Sequence, residues 1–172
     1  MSRTILAAFM AGGVGLIAAP AAFDPSPHLV WNASASAPLG LYRIEPADNL
    51  TVGDLVLVTP PGPVAVLLAE RGYLAPGVPL LKRLAALAGQ TVCRAGDRIL
   101  IDGRIVATAR EMDRADRPLP RWQGCQRLGP DLVFLLNQDA PDSLDGRYFG
   151  PTPASALRGR AVLLHTSRER RS

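Results

Sequence analysis

Lysine is nearly absent from this chain. Of 172 residues, 19 are Lys or Arg, and a single one of these, Lys82, is lysine, so eighteen are arginine. Histidine and cysteine number two each, and aromatic residues make up 5%. Each scarcity excludes something. His28 lies in a Pro-rich spacer and His165 stands next to a basic tail, so neither has the setting of a catalytic histidine. Two cysteines make a poor metal site, and no histidine lies near them in sequence. The net charge of +4 would permit nucleic-acid binding. Yet the arginines are scattered, without interleaved stacking aromatics, so nucleic acid is not expected as a partner. Asp139, Asp142 and Asp145 recur every third residue, but an EF-hand loop needs alternate-position ligands and a closing Glu. No metal and no cofactor are expected.

The lone lysine is informative because arginine does almost everything that a surface lysine does. The exception is losing its proton: guanidinium stays charged, whereas burial pushes an ammonium toward the neutral amine. Lys82 sits within the apolar run Val78–Leu87, which can supply that burial. A position that insists on lysine in an arginine-rich chain is a candidate general base. The alternative is one leftover surface residue.

The chain suits one domain plus a short appendage. Residues 1–23 form the appendage: Thr4–Phe23 carries no charge, with Arg3 before it and Asp24 after. Twenty residues at ~1.5 Å rise give roughly 30 Å, one hydrocarbon thickness. The segment reads as a membrane anchor or, through the small-x-small Ala19-Pro20-Ala21, as a cleaved signal peptide. Either form sends residues 24–167 across the inner membrane, followed by a basic tail at 168–172. In an oxidising compartment Cys93 and Cys125 suggest one disulfide, closing a loop of about 30 residues and adding roughly 3–4 kcal/mol. Two buried free thiols are the alternative.

Gly and Pro number 16 each, heavy punctuation that favours short strands. Leu55–Val58, Leu132–Leu136 and Arg160–Leu164 read as buried strands. Asp102-Gly103 between two β-prone runs reads as a two-residue hairpin turn. Val64–Ala69 and Leu80–Leu87 fit either helix or strand. Arg110–Leu128 is polar and looks like an excursion, with a small inserted segment at about 103–131. The expectation is a compact, mainly β domain preceded by an N-terminal hydrophobic helix.

Ser36 lies between small residues in Ser34-Ala35-Ser36-Ala37-Pro38-Leu39-Gly40, where an exposed turn can present a nucleophile. With no suitable histidine, a desolvated lysine can take its proton directly. Here three blocks, in order, resemble the serine–lysine signal peptidase family. They are Asn32–Tyr42, Leu81–Gly89, and Asn137 with Asp145-Gly146-Arg147-Tyr148-Phe149-Gly150-Pro151 and Gly159-Arg160-Ala161. The likeness is greatest to the conjugative-transfer branch, the TraF peptidases that mature a plasmid-encoded pilin.

The resemblance implies a signal-peptidase-like β fold and the activity of a serine endopeptidase. Ser36 would be the nucleophile and Lys82 its base. The Ser36 N–H and the Ser34 hydroxyl would form the oxyanion hole. Asp145 would support the lysine or pair with Arg147 as a brace. The implied substrate is a pilin precursor, cleaved with or without cyclisation on the periplasmic side of the inner membrane, with mating-pore components as further partners. A general signal peptidase and a non-catalytic mating-pore assembly factor are the alternatives. Ala37 is followed at once by Pro38, which fits the conjugative branch, and Ala88 stands where a proline is common. Gly146 stands in place of the serine expected to hold the lysine, so Asp145 or a water is expected to take over that contact.

Overall fold

The computed structural model describes residues 28–166, together with Ile5, Phe9, Met10, Gly12 and Gly13. Those five are helical, with Ile5, Phe9 and Met10 exposed. Most of the expected anchor and all of the tail at 168–172 lie outside the described residues. No helix among the described residues is long and apolar enough to cross a membrane.

Two antiparallel sheets make up the domain. The larger holds seven strands in the order β1 (Leu29–Asn32), β2 (Gly40–Glu45), β11 (Leu157–Thr166), β3 (Leu55–Val58), β4 (Leu80–Ala86), β9 (Leu132–Leu135) and β10 (Thr152–Pro153). The smaller holds β7 (Arg104–Thr108), β6 (Arg98–Ile101), β5 (Thr91–Ala95) and β8 (Gly124–Arg127). The last strand among the described residues, β11, therefore lies mid-sheet. It pairs with β2 on one side and with β3 on the other. Gly40 makes the first of these pairings possible: at φ 154, a Cβ there would lie 2.0 Å from the His165 carbonyl oxygen.

Both ambiguous segments resolve through their neighbours. Leu80–Ala86 is a strand because β3 and β9 flank it, and such a central strand need not show the alternation of a half-solvated one. Val64–Ala69 is helical within α1 (Gly62–Glu70), where proline in the first turn fits the unpaired N–H positions. The Asp102-Gly103 hairpin joins β6 to β7, with both residues at positive φ (49 and 78) as that tight turn requires. The Asp102 carboxylate also accepts from Thr91 N–H and Gln90, fixing the hairpin to the start of β5.

Of the expected excursion Arg110–Leu128, only Gly124–Arg127 joins the small sheet, which begins at Thr91, earlier than residue 103. Cys93 and Cys125 face each other across β5 and β8 and are disulfide-bonded (S–S 2.06 Å). The bond ties down β8, an edge strand exposed at every residue. Val92, Ile99 and Ile101 of the small sheet pack with Ala86, Phe134 and Leu136 in one core cluster, joining the sheets. Burial of such side chains contributes roughly 1.5–3 kcal/mol each.

The candidate active site

Ser36 lies in the loop between β1 and β2, which is shaped from within. Asn32, the last residue of β1, is buried. Its side-chain amide donates to the carbonyls of Ser34 (2.9 Å), Ala37 (3.1 Å) and Pro38 (3.0 Å), while its Oδ1 accepts from Ser34 N–H (3.0 Å). Tyr42 Oη donates to the Pro38 carbonyl at 2.7 Å. The loop thus presents Ser34 exposed and Ser36 half-buried. Ser34 Oγ lies 2.9 Å from Ser36 Oγ and accepts from Ser36 N–H at 3.4 Å. The two donors expected to form the oxyanion hole therefore stand beside the serine hydroxyl.

Lys82 is buried within β4, only 4% exposed. Its ammonium position is opposite to that of a surface lysine, and burial is the largest influence on it. Burial lowers its pKa to about 8, with Asp145 opposing and Arg147 reinforcing the fall. At that value an appreciable fraction of the amine is neutral near physiological pH.

The group holding the lysine is Ser143: Lys82 Nζ donates to Ser143 Oγ at 2.7 Å in a buried contact. This corrects the expectation that Asp145 or a water would take over the contact at Gly146. Gly146 has a different reason to be glycine. A Cβ there would stand 2.6 Å from the Phe134 ring and 2.7 Å from the Leu135 carbonyl oxygen. The signal for Ser143 was its place two residues before Asp145, between the matched residues of the final block. What hid it was the 61-residue separation from Lys82.

Asp145 caps α2 (Gly146–Phe149), accepting from Arg147 N–H at 3.1 Å. It also accepts from Asn137 N–H (3.1 Å) and from the Arg147 guanidinium (3.0 Å), and both side chains of the ion pair are buried. Burial pushes the Asp145 carboxyl up, against the pull of Arg147 and Lys82. Arg147 balances the Asp145 charge within the pair, so a carboxylate near Lys82 does not lock the lysine in its charged form. Among the described residues, no hydrogen bond joins Asp145 to Lys82.

Asn137 ties the three sequence blocks together. Its Nδ2 donates to the Ser36 carbonyl (2.7 Å) and the Leu81 carbonyl (3.3 Å), and its Oδ1 accepts from Arg83 N–H (2.8 Å). Its own carbonyl accepts from Arg147 Nη2 at 3.0 Å. Arg94 of β5 donates to the Arg147 carbonyl (2.6 Å), and Trp122 Nε1, just before β8, donates to the Gly146 carbonyl (2.9 Å). The disulfide-bearing sheet therefore braces α2 from behind.

Ser36 separates two cavities. The larger, about 820 Å³, is lined by Ser34, Ser36, Lys82 and Ser143, with apolar walls that include Trp31, Leu68, Tyr73 and Met112. The smaller, about 460 Å³, is lined by Ser36, Pro38, Leu55, Arg83, Asn137 and Asp139. Ser36 and Lys82 share the larger cavity without a direct hydrogen bond among the described residues; Ser36 Oγ is engaged by Ser34, and Lys82 by Ser143. The expected direct contact is thus not made in this resting arrangement, in which catalytic hydrogen bonds are often long until substrate binds. No group of three or more His, Cys, Asp or Glu side chains among the described residues is placed to hold a metal ion.

This geometry has relatives. The family model described as signal peptidase, peptidase S26, matches residues 1–166. A probable conjugal transfer protein TraF from Sinorhizobium fredii is 39% identical over 140 residues, covering 76% of this chain and 73% of its own. A conjugal transfer protein TraF from Agrobacterium fabrum is 40% identical, covering 76% and 78%. A plasmid transfer protein TraF from Escherichia coli is 30% identical over 169 residues, covering 92% and 93%. A signal peptidase I from Enterococcus faecalis aligns with 69% of this chain and 99% of its own, at TM-score 0.38 and 19% identity, too loosely for any geometry to be carried across. With a family match across nearly the whole chain and these TraF relatives, the protein belongs to the signal peptidases of the peptidase S26 family.

Proposed function

We propose that this protein is a serine endopeptidase that processes an exported pilin precursor during plasmid conjugal transfer, with Ser36 as nucleophile and Lys82 as general base. The observation that carries the reading is a single lysine, buried and with its pKa lowered to about 8, lining the same cavity as Ser36. The TraF relatives supply the link to conjugal transfer.

In this mechanism a precursor segment lies along the apolar wall of the larger cavity. Neutral Lys82 takes the Ser36 Oγ proton as Oγ attacks the scissile carbonyl. The developing oxyanion is received by Ser36 N–H and the Ser34 hydroxyl, which turns from Ser36 toward it. Lys82 returns the proton to the leaving amine, and an ester on Ser36 remains. Water then releases the product, or the pilin's own amine does so and closes a ring. Ser143 orients the lysine nitrogen, while Asp145 and Arg147 brace the turn that carries Ser143. The chemistry takes place on the periplasmic side of the inner membrane, where residues 1–23 hold or deliver the domain and where mating-pore components are its neighbours.

The test is mass spectrometry of the candidate pilin from cells with and without the protein. Cleavage that disappears with the gene and with Ser36→Ala supports the reading. A loss of one further water reports cyclisation. Unchanged pilin processing in the Ser36→Ala strain would sink it.

A further inference from the structure

Three carboxylates line the two cavities that meet at Ser36: Asp113, Asp139 and Asp142. Two are neutralised. Asp113 pairs with Arg117 and Arg71, and accepts from the Tyr73 hydroxyl. Asp142 pairs with both Arg110 and Arg114. Asp139 has no ion-pair or hydrogen-bonding partner among the described residues. It also lines both cavities, whereas Asp113 and Asp142 line only the larger.

The turn that carries it is not loose. Ala140 N–H donates to the Asn137 carbonyl at 3.1 Å. The buried Arg147 guanidinium then holds the carbonyls at either end, Asn137 at 3.0 Å and Ala140 at 3.1 Å. Asp139 is exposed, but this brace fixes its backbone, and its unpaired carboxylate shares both cavities with Ser36, placed for a charge that arrives with the substrate. Arg110 and Arg114 share one carboxylate and line only the larger cavity, so that cavity carries excess positive charge away from Asp139.

Resting on the peptidase reading above, we infer that Asp139 is a specificity-determining residue: it receives a cationic group of the substrate, ammonium or guanidinium, directly beside the bond that Ser36 attacks. A cation further along the larger cavity meets Arg110 and Arg114 and is disfavoured. The cation has two possible sources: a basic side chain flanking the scissile bond, or the amine that takes the acyl group from Ser36. In the second case the bound ammonium gives one proton to water and attacks as the neutral amine. The amide bond forms, the acyl–Oγ bond breaks, and Lys82 carries the remaining proton from nitrogen to Ser36 Oγ.

The experiment uses the full-length protein in detergent and peptides built on a sequence that it cleaves. Lys, Arg or Gln is placed in turn at each position flanking the bond, and kcat/KM is read as a cation-to-Gln ratio. A ratio of about five at one adjoining position is expected, the size of one partly exposed ion pair (~1 kcal/mol). Asp139→Asn brings it to about one, Asp139→Lys inverts it, and Asp139→Glu retains it. In a second arm, glycinamide (largely an ammonium at neutral pH) competes with hydroxylamine (largely neutral) as acyl acceptor. A preference for glycinamide that Asp139→Asn removes identifies the acceptor amine as the source. If Asp139→Asn, with an unchanged melting temperature, leaves every ratio as it was, the inference is overturned while the peptidase reading stands. If the native protein cleaves no peptide, that reading falls and this one falls with it.

Discussion

Ser36 stands on a loop held mainly by its own neighbours, Asn32 and Tyr42, with one long-range tie to Asn137. Lys82 lies mid-strand, and its polar contact comes from a residue 61 positions away. Ser36 is half-buried on an open loop; Lys82 is buried. A nucleophile has to be reached by a bulky peptide, whereas a lysine acts as a base only where water cannot keep it charged. Local sequence suffices for the first requirement. The second needs most of the fold.

The comparison can be broken most severely on the lysine side. Lys82→Arg keeps a cation that cannot be deprotonated, and Lys82→Met keeps the packing without the nitrogen. Both are expected to lower precursor cleavage by about 10⁴-fold or more. A Lys82→Met protein that melts normally and still cleaves would end the dyad proposal.

On the serine side, Ser34→Ala removes one expected oxyanion donor. A fall in kcat of about 10²–10³-fold is expected, with KM little changed. A change confined to KM would return Ser34 to the role of a turn residue.

The pH profile sharpens the contrast without any substitution. In the proposed mechanism the active form of Lys82 is the neutral amine, so the rate is expected to rise with pH through about 8 and level off above it. Between pH 7 and 9 the gain is roughly tenfold. Ser143→Ala removes a hydrogen-bond acceptor that favours the ammonium, so its profile shifts to lower pH while the plateau falls. A lower plateau with an unmoved profile would mean that Ser143 only shapes its loop.

The smallest effect on catalysis is expected from the disulfide. Replacing Cys93 and Cys125 by serine is expected to cost about 2–4 kcal/mol of stability. Because the bond lies in the sheet behind α2, kcat measured well below the melting temperature should stay within about twofold. A large fall in kcat in the folded protein would place the small sheet closer to the chemistry than its bracing contacts suggest.

These contrasts also explain what could be read from sequence. Leu55–Val58, the Asp102-Gly103 hairpin and the Ser36 loop are written locally, in β-branched runs and turn residues. The lysine announced itself by composition, as one amine among guanidinium groups. Ser143 and the bridging role of Asn137 were hidden because each depends on which strands become neighbours. Gly146 was read as a lost hydroxyl because sequence shows the missing side chain but not the Phe134 ring filling its place. Arg147 gave a faint sign, an arginine set among Gly146, Tyr148 and Phe149.

The place of β11 bears on timing. The Ser36 loop joins β1 to β2 and Lys82 is on β4; β11, later in the chain than all three, lies with β3 between them. Until Leu157–Thr166 inserts, the two halves of the proposed chemistry are separate pieces of sheet. A chain in which β11 has not yet paired therefore lacks the sheet that brings the proposed pair together. Under the proposed function, a chain stopped before Leu157 is expected to give no cleavage of the peptides that the whole protein cuts.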